Sequence, residues 1–270
     1  MKLRILAAVA LVPLLFIVVF GAPEIVLTIF IAVFCAIASY ELLAVTGLVK
    51  NLRLVGYTSV IAFAVPLWSH FNMSTVWARV GILAFFVVLF AEILISHGVM
   101  RFDCVAVCVA SGLLMPYLLS ALVRIMNSVH GRIYVFIPFV TACLSDSGAY
   151  FIGKKWGKHK FVPNISANKS TEGVVGGLVT GVLGILIYCM VLQFGFAYNV
   201  NYLYAFIYGI LSAFAAVFGD LCFSVIKRQT GIKDYGNLIP GHGGILDRFD
   251  SMMVVAPLVE LLLVLLPVVE

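Results

Sequence analysis

The chain has 270 residues, 63% of them hydrophobic and only 11% charged, with a formal net charge of +5. A soluble domain carries roughly 25% charged residues, so this composition excludes an ordinary soluble globular protein. Apolar runs long enough to span a bilayer recur from end to end, which predicts a polytopic all-α membrane protein; the short alternating segments of a β-barrel are absent, and the modest positive charge, read by loop position, gives no nucleic-acid signal.

About nine spans are predicted: 4–20, 25–46, 54–69, 77–96, 104–124, 133–153, 173–195, 202–226 and 252–268. Residues 5–20, after Lys2 and Arg4, also have the form of a signal-peptide core. Phe20-Gly21-Ala22 is a poor cleavage site, so this segment is read as a retained first span. The third span is short and contains Pro66. Of the 17 basic residues, all but Arg79, Arg124 and Arg132 fall at the N-terminus, in loops after even-numbered spans, or at their flanks. The positive-inside rule then places the N-terminus and the long loops 154–172 and 227–251 in the cytoplasm, and the C-terminus outside. A multi-pass protein of the inner (cytoplasmic) membrane is expected, its active site facing the cytoplasm.

The N-terminal half, residues 1–132, reads as scaffold and lipid access. Its few intramembrane charges include Glu41 and Glu92, both near the cytoplasmic boundary. The six Cys are scattered without a CxxC pair, and Cys104 and Cys108, one helical turn apart, are read as packing residues. Polar weight is concentrated in residues 133–270, read as the catalytic region.

Span six contains Ser145-Asp146-Ser147-Gly148-Ala149-Tyr150, and span eight contains Phe218-Gly219-Asp220. Both spans run outside to inside, so Asp146 and Asp220 are predicted at similar depth, about two turns before the cytoplasmic end. Asp247 and Asp250, three residues apart at the start of span nine, share a helix face. Carboxylates within a bilayer are costly and need partners. Helix-packing or capping roles are the plainer reading, an even choice for Asp250. Clustered carboxylates also call for a cation, and oxygen ligands suit Mg²⁺, which takes one or two carboxylates together with substrate phosphates.

Residues 224–250, SVIKRQTGIKDYGNLIPGHGGILDRFD, form the longest polar run. Lys227, Arg228, Lys233 and Arg248 flank the acids. Pro240-Gly241-His242-Gly243-Gly244 offers exposed amides at a helix entry, a place suited to an anion. Asp247 would repel a bare phosphate there, so a metal-bound polyphosphate is the better fit; a lipid-headgroup loop without catalysis is the plainer alternative. His242 could serve as phosphate donor or acid/base, whereas His70, His97, His130 and His159 are read as solvated. In the loop Gly153–Gly173, the residues Asn168-Lys169-Ser170-Thr171-Glu172-Gly173 set a lysine, two hydroxyls and an acid beside a helix entry, where Ser170 or Thr171 could equally be an N-cap. Gly173, Gly177 and Gly181 recur every four residues and predict close backbone approach on one side of span seven.

Ser224-x-Ile226-Lys227-Arg228, Lys233-Asp234 and Pro240-x-His242-Gly243-Gly244-Ile245-x-Asp247-Arg248-Phe249-Asp250 resemble the signature of phosphatidate cytidylyltransferases, also called CDP-diacylglycerol synthases. Asp146-Ser147-x-Ala149-Tyr150-x-x-Gly153 is similar to the family's upstream motif, and Lys169-Ser170-x-Glu172-Gly173 to its central loop. The resemblance covers residues 140–258. In that central loop Ala167 stands where the family usually has Pro, and Thr171 where it has Trp, which bears on loop rigidity and stacking more than on the reaction.

The resemblance implies transfer of CMP from CTP to phosphatidic acid, giving CDP-diacylglycerol and pyrophosphate. Mg²⁺, one ion or two, would be held by Asp220 and Asp247 with Asp146 and Asp250 nearby. Lys227, Arg228, Lys233 and Arg248 would hold pyrophosphate or the lipid phosphate, with Lys169, Ser170, Glu172, Asp234, Gly243 and Gly244 completing substrate binding. A homodimer is plausible from the same resemblance. A CTP-dependent lipid or polyprenol kinase and an ion-coupled transporter remain as alternatives.

Overall fold

The computed structural model describes residues 13, 16–96, 100–238 and 243–269. Among them, seven helices are long and apolar enough to cross a membrane. In chain order these are α1 (Glu24–Val45), α2 (Leu52–Phe71), α3 (Thr75–Ile95), α4 (Phe102–Met126), α5 (Gly131–Trp156), α6 (Thr171–Phe196) and α7 (Tyr202–Gln229). Two shorter helices follow, α8 (Leu246–Phe249) and α9 (Met252–Leu265). The predicted all-α polytopic class is borne out. Most of the first predicted span lies outside the described residues. The ninth is α9, set off from α8 by a break at Asp250-Ser251.

Local chemistry explains where these helices begin and end. In lipid only helices satisfy their own backbone groups, so each long apolar run folds as one. Asn51 caps α2 by accepting from the Arg53 amide at 3.0 Å, and Asn201 caps α7 by accepting from Leu203 at 3.1 Å and Tyr204 at 3.2 Å. Asn72 and Ala197 take left-handed backbone conformations and close α2 and α6. Pro66 sits inside α2 without ending it. The last turn of α1 widens into a π-helical stretch over Glu41–Val45.

The chain divides into two compact units. The first comprises residues up to Val129 together with Gln229–Arg248. Its core packs Leu43, Leu54, Val55, Phe85, Leu89 and Cys108. The second comprises His130–Arg228 and residues from Phe249 on. There α5 and α6 pack along the predicted glycine stripe. A Cβ on Gly177 would lie 2.8 Å from the Ser145 carbonyl oxygen, and one on Gly173 2.8 Å from that of Ala149. Bare backbone at these positions is what lets the two helices meet so closely. Tyr134, buried in this unit, donates its hydroxyl to the Val269 carbonyl at 3.0 Å and accepts from the Val269 amide, fixing the chain end.

Between α5 and α6 the polar loop folds into an unforeseen antiparallel hairpin, β1 (Lys160–Val162) and β2 (Ser166–Ser170).

Candidate active site

In the C-terminal unit, α7 carries Gly219-Asp220 against the break between α8 and α9. A Cβ on Gly219 would sit 2.8 Å from the Asp250 carbonyl oxygen and 3.0 Å from the Ser251 Cα. Only glycine allows that approach, and it sets Asp220 beside Asp250. The carboxylate of Asp220 pairs with Lys169 Nζ at 2.5 Å and accepts from the Ser224 hydroxyl, one turn on, at 3.3 Å. Asp250 is buried, 8% exposed, and accepts from the Ser251 amide at 2.7 Å. Burial pushes the Asp250 carboxyl up to about 7; the charges of Asp220 and Asp146 add to the rise, while Lys227 and the Ser251 amide oppose it. Asp146, Asp220, Asp250, Lys169 and Lys227 therefore form one electrostatic group.

The hairpin that delivers Lys169 is held by its own polar residues. Ser170 caps α6, its hydroxyl accepting from the Gly173 amide at 3.1 Å, so the capping reading describes this side chain. Glu172 accepts from the amides of Lys158 at 3.1 Å and His159 at 3.3 Å, and pairs with His159 Nδ1 at 2.7 Å. His159 is exposed, as expected, yet partnered. Arg228 donates its Nε to the Ile165 carbonyl at 3.1 Å. Ser170, Glu172 and Arg228, predicted to meet substrate, thus each have a bond that shapes or anchors this loop.

In the N-terminal unit, Asp247 and the preceding turn form a second group. The Oδ2 of Asp247 accepts from the Tyr235 amide at 2.8 Å and the Gly244 amide at 3.0 Å. Glu41 accepts from the next two amides, Ile245 at 3.0 Å and Leu246 at 2.8 Å. The amides of Gly244, Ile245 and Leu246 are thus already bound by the chain's own carboxylates. In an apolar span Glu41 must be satisfied, and these amides satisfy it; residues 240–242 of the turn expected to receive an anion lie outside the described residues. Gly243 has φ +81°, a left-handed backbone suited to glycine. Lys233, Asp234 and Arg248 are exposed. His242 lies outside the described residues.

Sequence reasoning assigned no role to Glu41 or Gly219. The only signal for the first was an isolated acid at the end of an apolar span; for the second, a small residue before an intramembrane aspartate.

Among the described residues no three His, Cys, Asp or Glu side chains gather closely enough to hold a metal ion by themselves. A site that shares a hard cation between one or two carboxylates and phosphate oxygens does not require such a cage.

Helices of this length and composition, with acids and lysines set among apolar residues, define a polytopic membrane protein with charged groups poised for polar chemistry. A family model described as the cytidylyltransferase family matches residues 2–266. The chain belongs to this family and is a nucleotidyltransferase. It is 34% identical over 275 residues to a phosphatidate cytidylyltransferase of Bacillus subtilis, covering 98% of both chains. It is 32% identical to one of Staphylococcus epidermidis, covering 98% of this chain and 99% of the relative. A relative of the same name from Staphylococcus saprophyticus is 46% identical over 134 residues, half of each chain.

Proposed function

We propose that this protein transfers CMP from CTP to phosphatidic acid, releasing pyrophosphate and forming CDP-diacylglycerol. The observation that carries this reading is the near full-length similarity to two relatives named phosphatidate cytidylyltransferase. The charged groups support it chemically.

The lipid phosphate is already ionised, so its oxygen attacks the α-phosphorus of CTP without a strong general base. The new P–O bond forms as the bond from the α-phosphorus to the bridging oxygen breaks, and that oxygen leaves with pyrophosphate. Lys227, Lys233, Arg228 and Arg248 offset the charge on the leaving pyrophosphate or the lipid phosphate. Lys169 offsets Asp220 and is the cation beside it.

A divalent cation, Mg²⁺, fits the acids. Their donors are all oxygens, and the buried Asp250 carboxyl lies within electrostatic reach of Asp220 and Asp146. One or two of Asp220, Asp250 and Asp146 would hold it together with phosphate oxygens, and Asp247 is proposed as a further ligand on its place in the signature. When bound, the metal neutralises charge developing on the phosphates. The excess of basic residues in loops 154–172 and 227–251 supports a cytoplasmic site in the inner membrane, where CTP arrives from water and phosphatidate from the bilayer. A homodimer is proposed on family resemblance alone.

Purified full-length protein incubated with CTP, phosphatidate and Mg²⁺ is expected to release pyrophosphate and CDP-lipid in equal amounts, and chelation of the metal should stop both. Failure to form CDP-lipid in several detergents and in lipid nanodiscs would overturn this reading; phosphorylated lipid with CDP would identify a kinase.

A further inference from the structure

Glu41 lies in the π-helical last turn of α1 and is 3% exposed. An ionised carboxylate at such a place is costly unless each oxygen is satisfied. Here Oε1 accepts from Ile245 and Oε2 from Leu246, partners 204 and 205 residues away in sequence. Both carboxylate oxygens are thus taken up by backbone amides, and this contact ties the turn to α1. The fit is close from both sides of the loop. A Cβ on Gly244 would lie 2.5 Å from Oε2, and one on Gly236 2.6 Å from Oε1. Two stretches of backbone thus pass the carboxylate at a distance that excludes any side chain.

The same turn positions Asp247, whose Oδ2 binds the Gly244 and Tyr235 amides. Gly244 contributes one amide to Asp247 and is followed by the two amides that bind Glu41. The two carboxylates therefore take up three successive amides of one four-residue turn. We propose that Glu41 is a positioning residue that fixes the Gly244–Asp247 turn, and through it the carboxylate of Asp247. For its kinetic consequence this rests on the reaction proposed above and on Asp247 acting as a metal ligand there.

Glu41→Gln is the sharpest probe. It is isosteric but turns one of the two acceptor oxygens into an NH₂ group facing a backbone N–H, so only one amide can stay bound. Residues that orient a metal ligand cost about 10- to 100-fold in metal affinity or activity when changed. The full-length E41Q protein should need at least about tenfold more Mg²⁺ for half-maximal CDP-lipid formation, while its monodispersity and thermal midpoint stay near those of the parent. Hydrogen exchange at Ile245 and Leu246 should rise with it. Glu92→Gln removes another buried carboxylate from the same unit (8% exposed) and should leave the Mg²⁺ dependence unchanged. If E41Q does not fold, Gly236→Ala, which pushes a methyl group into the Glu41 carboxylate, should reproduce the Mg²⁺ shift. A folded E41Q or G236A protein with the parental Mg²⁺ dependence, or E41Q with unchanged exchange at both amides, would overturn the proposal. An equal shift in E92Q would do the same, by making the effect one of general destabilisation. A parent protein that forms no CDP-lipid would refute the reaction instead, and amide exchange would still report whether Glu41 holds the turn.

Discussion

Asp220 and Asp250 sit among side chains of both charges, whereas Asp247 and Glu41 sit among backbone amides. In the first group the partners are Lys169, Lys227, other acids and the Ser224 hydroxyl, with one backbone amide, that of Ser251, on Asp250; in the second they are the N–H groups of Tyr235, Gly244, Ile245 and Leu246. The difference has a physical meaning. Amides carry no net charge but are fixed in the backbone, so binding them defines a shape. Lysines move on flexible stems, and neighbouring acids repel, so the contacts of that group are less fixed in shape than bonds to backbone amides. One region is prepared to exchange partners, and the other to hold a conformation. Asp247 belongs to the second by its hydrogen bonds and to the first by its sequence signature, so it is the residue on which the contrast turns.

The largest effect is expected at Asp220. Asp220→Asn keeps the size and removes the charge beside Lys169, and CDP-lipid formation should fall at least about 100-fold, at or beyond the upper end of losses seen when a metal site's supporting partners are removed. A rate near the parent's in a pyrophosphate-release assay would remove Asp220 from the chemistry. Asp247→Asn tests the ambiguous residue. The amide oxygen of Asn can still accept from Tyr235 and Gly244, so folding should survive while turnover drops about 10- to 100-fold if the charge matters. Parental turnover would assign Asp247 to the turn alone.

Two smaller effects bear on how the first group is assembled. Gly219→Ala inserts a methyl group 2.8 Å from the Asp250 carbonyl oxygen. Overpacking of this kind costs about 1–3 kcal/mol, which should lower the thermal midpoint in mild detergent and reduce turnover by displacing Asp220 from Asp250. Unchanged stability and rate would mean that α7 can shift freely there. Ser170→Ala removes the α6 cap, worth about 1 kcal/mol. Its expected signature is a small fall in thermal midpoint with the reaction retained; complete loss of turnover without destabilisation would instead make the Ser170 hydroxyl a substrate contact.

Much of this protein could be read from its residues. Uninterrupted apolar runs marked the helices α1 to α7 because a bilayer leaves the backbone no other partner than itself. The glycine spacing along α6 anticipated its close approach to α5, since a four-residue repeat keeps one face bare. The charged signature singled out Asp146, Asp220, Asp247 and Asp250 as candidates, and three of them, Asp146, Asp220 and Asp250, interact in the folded chain. Other features were hidden. The β1–β2 hairpin is short, polar and without alternating hydrophobics, so it carries no period to detect. The binding of the Gly244, Ile245 and Leu246 amides by Asp247 and Glu41 was also hidden, because glycine-rich sequence shows that amides are accessible to something, not what binds them.

Sequence by itself determined the membrane class, the helical spans, the family and the acids that carry its signature, because each depends on local composition or on a contiguous motif. Tertiary structure alone decided that Gly219 opens the way for Asp220 to reach Asp250, and that Glu41 occupies the amides of a turn more than 200 residues further on. An isolated carboxylate at the end of an apolar helix reads the same whether it faces water, a lysine or a backbone. Which of these it meets is settled only when the chain has packed, because satisfying a buried charge depends on neighbours in space and not on neighbours in sequence.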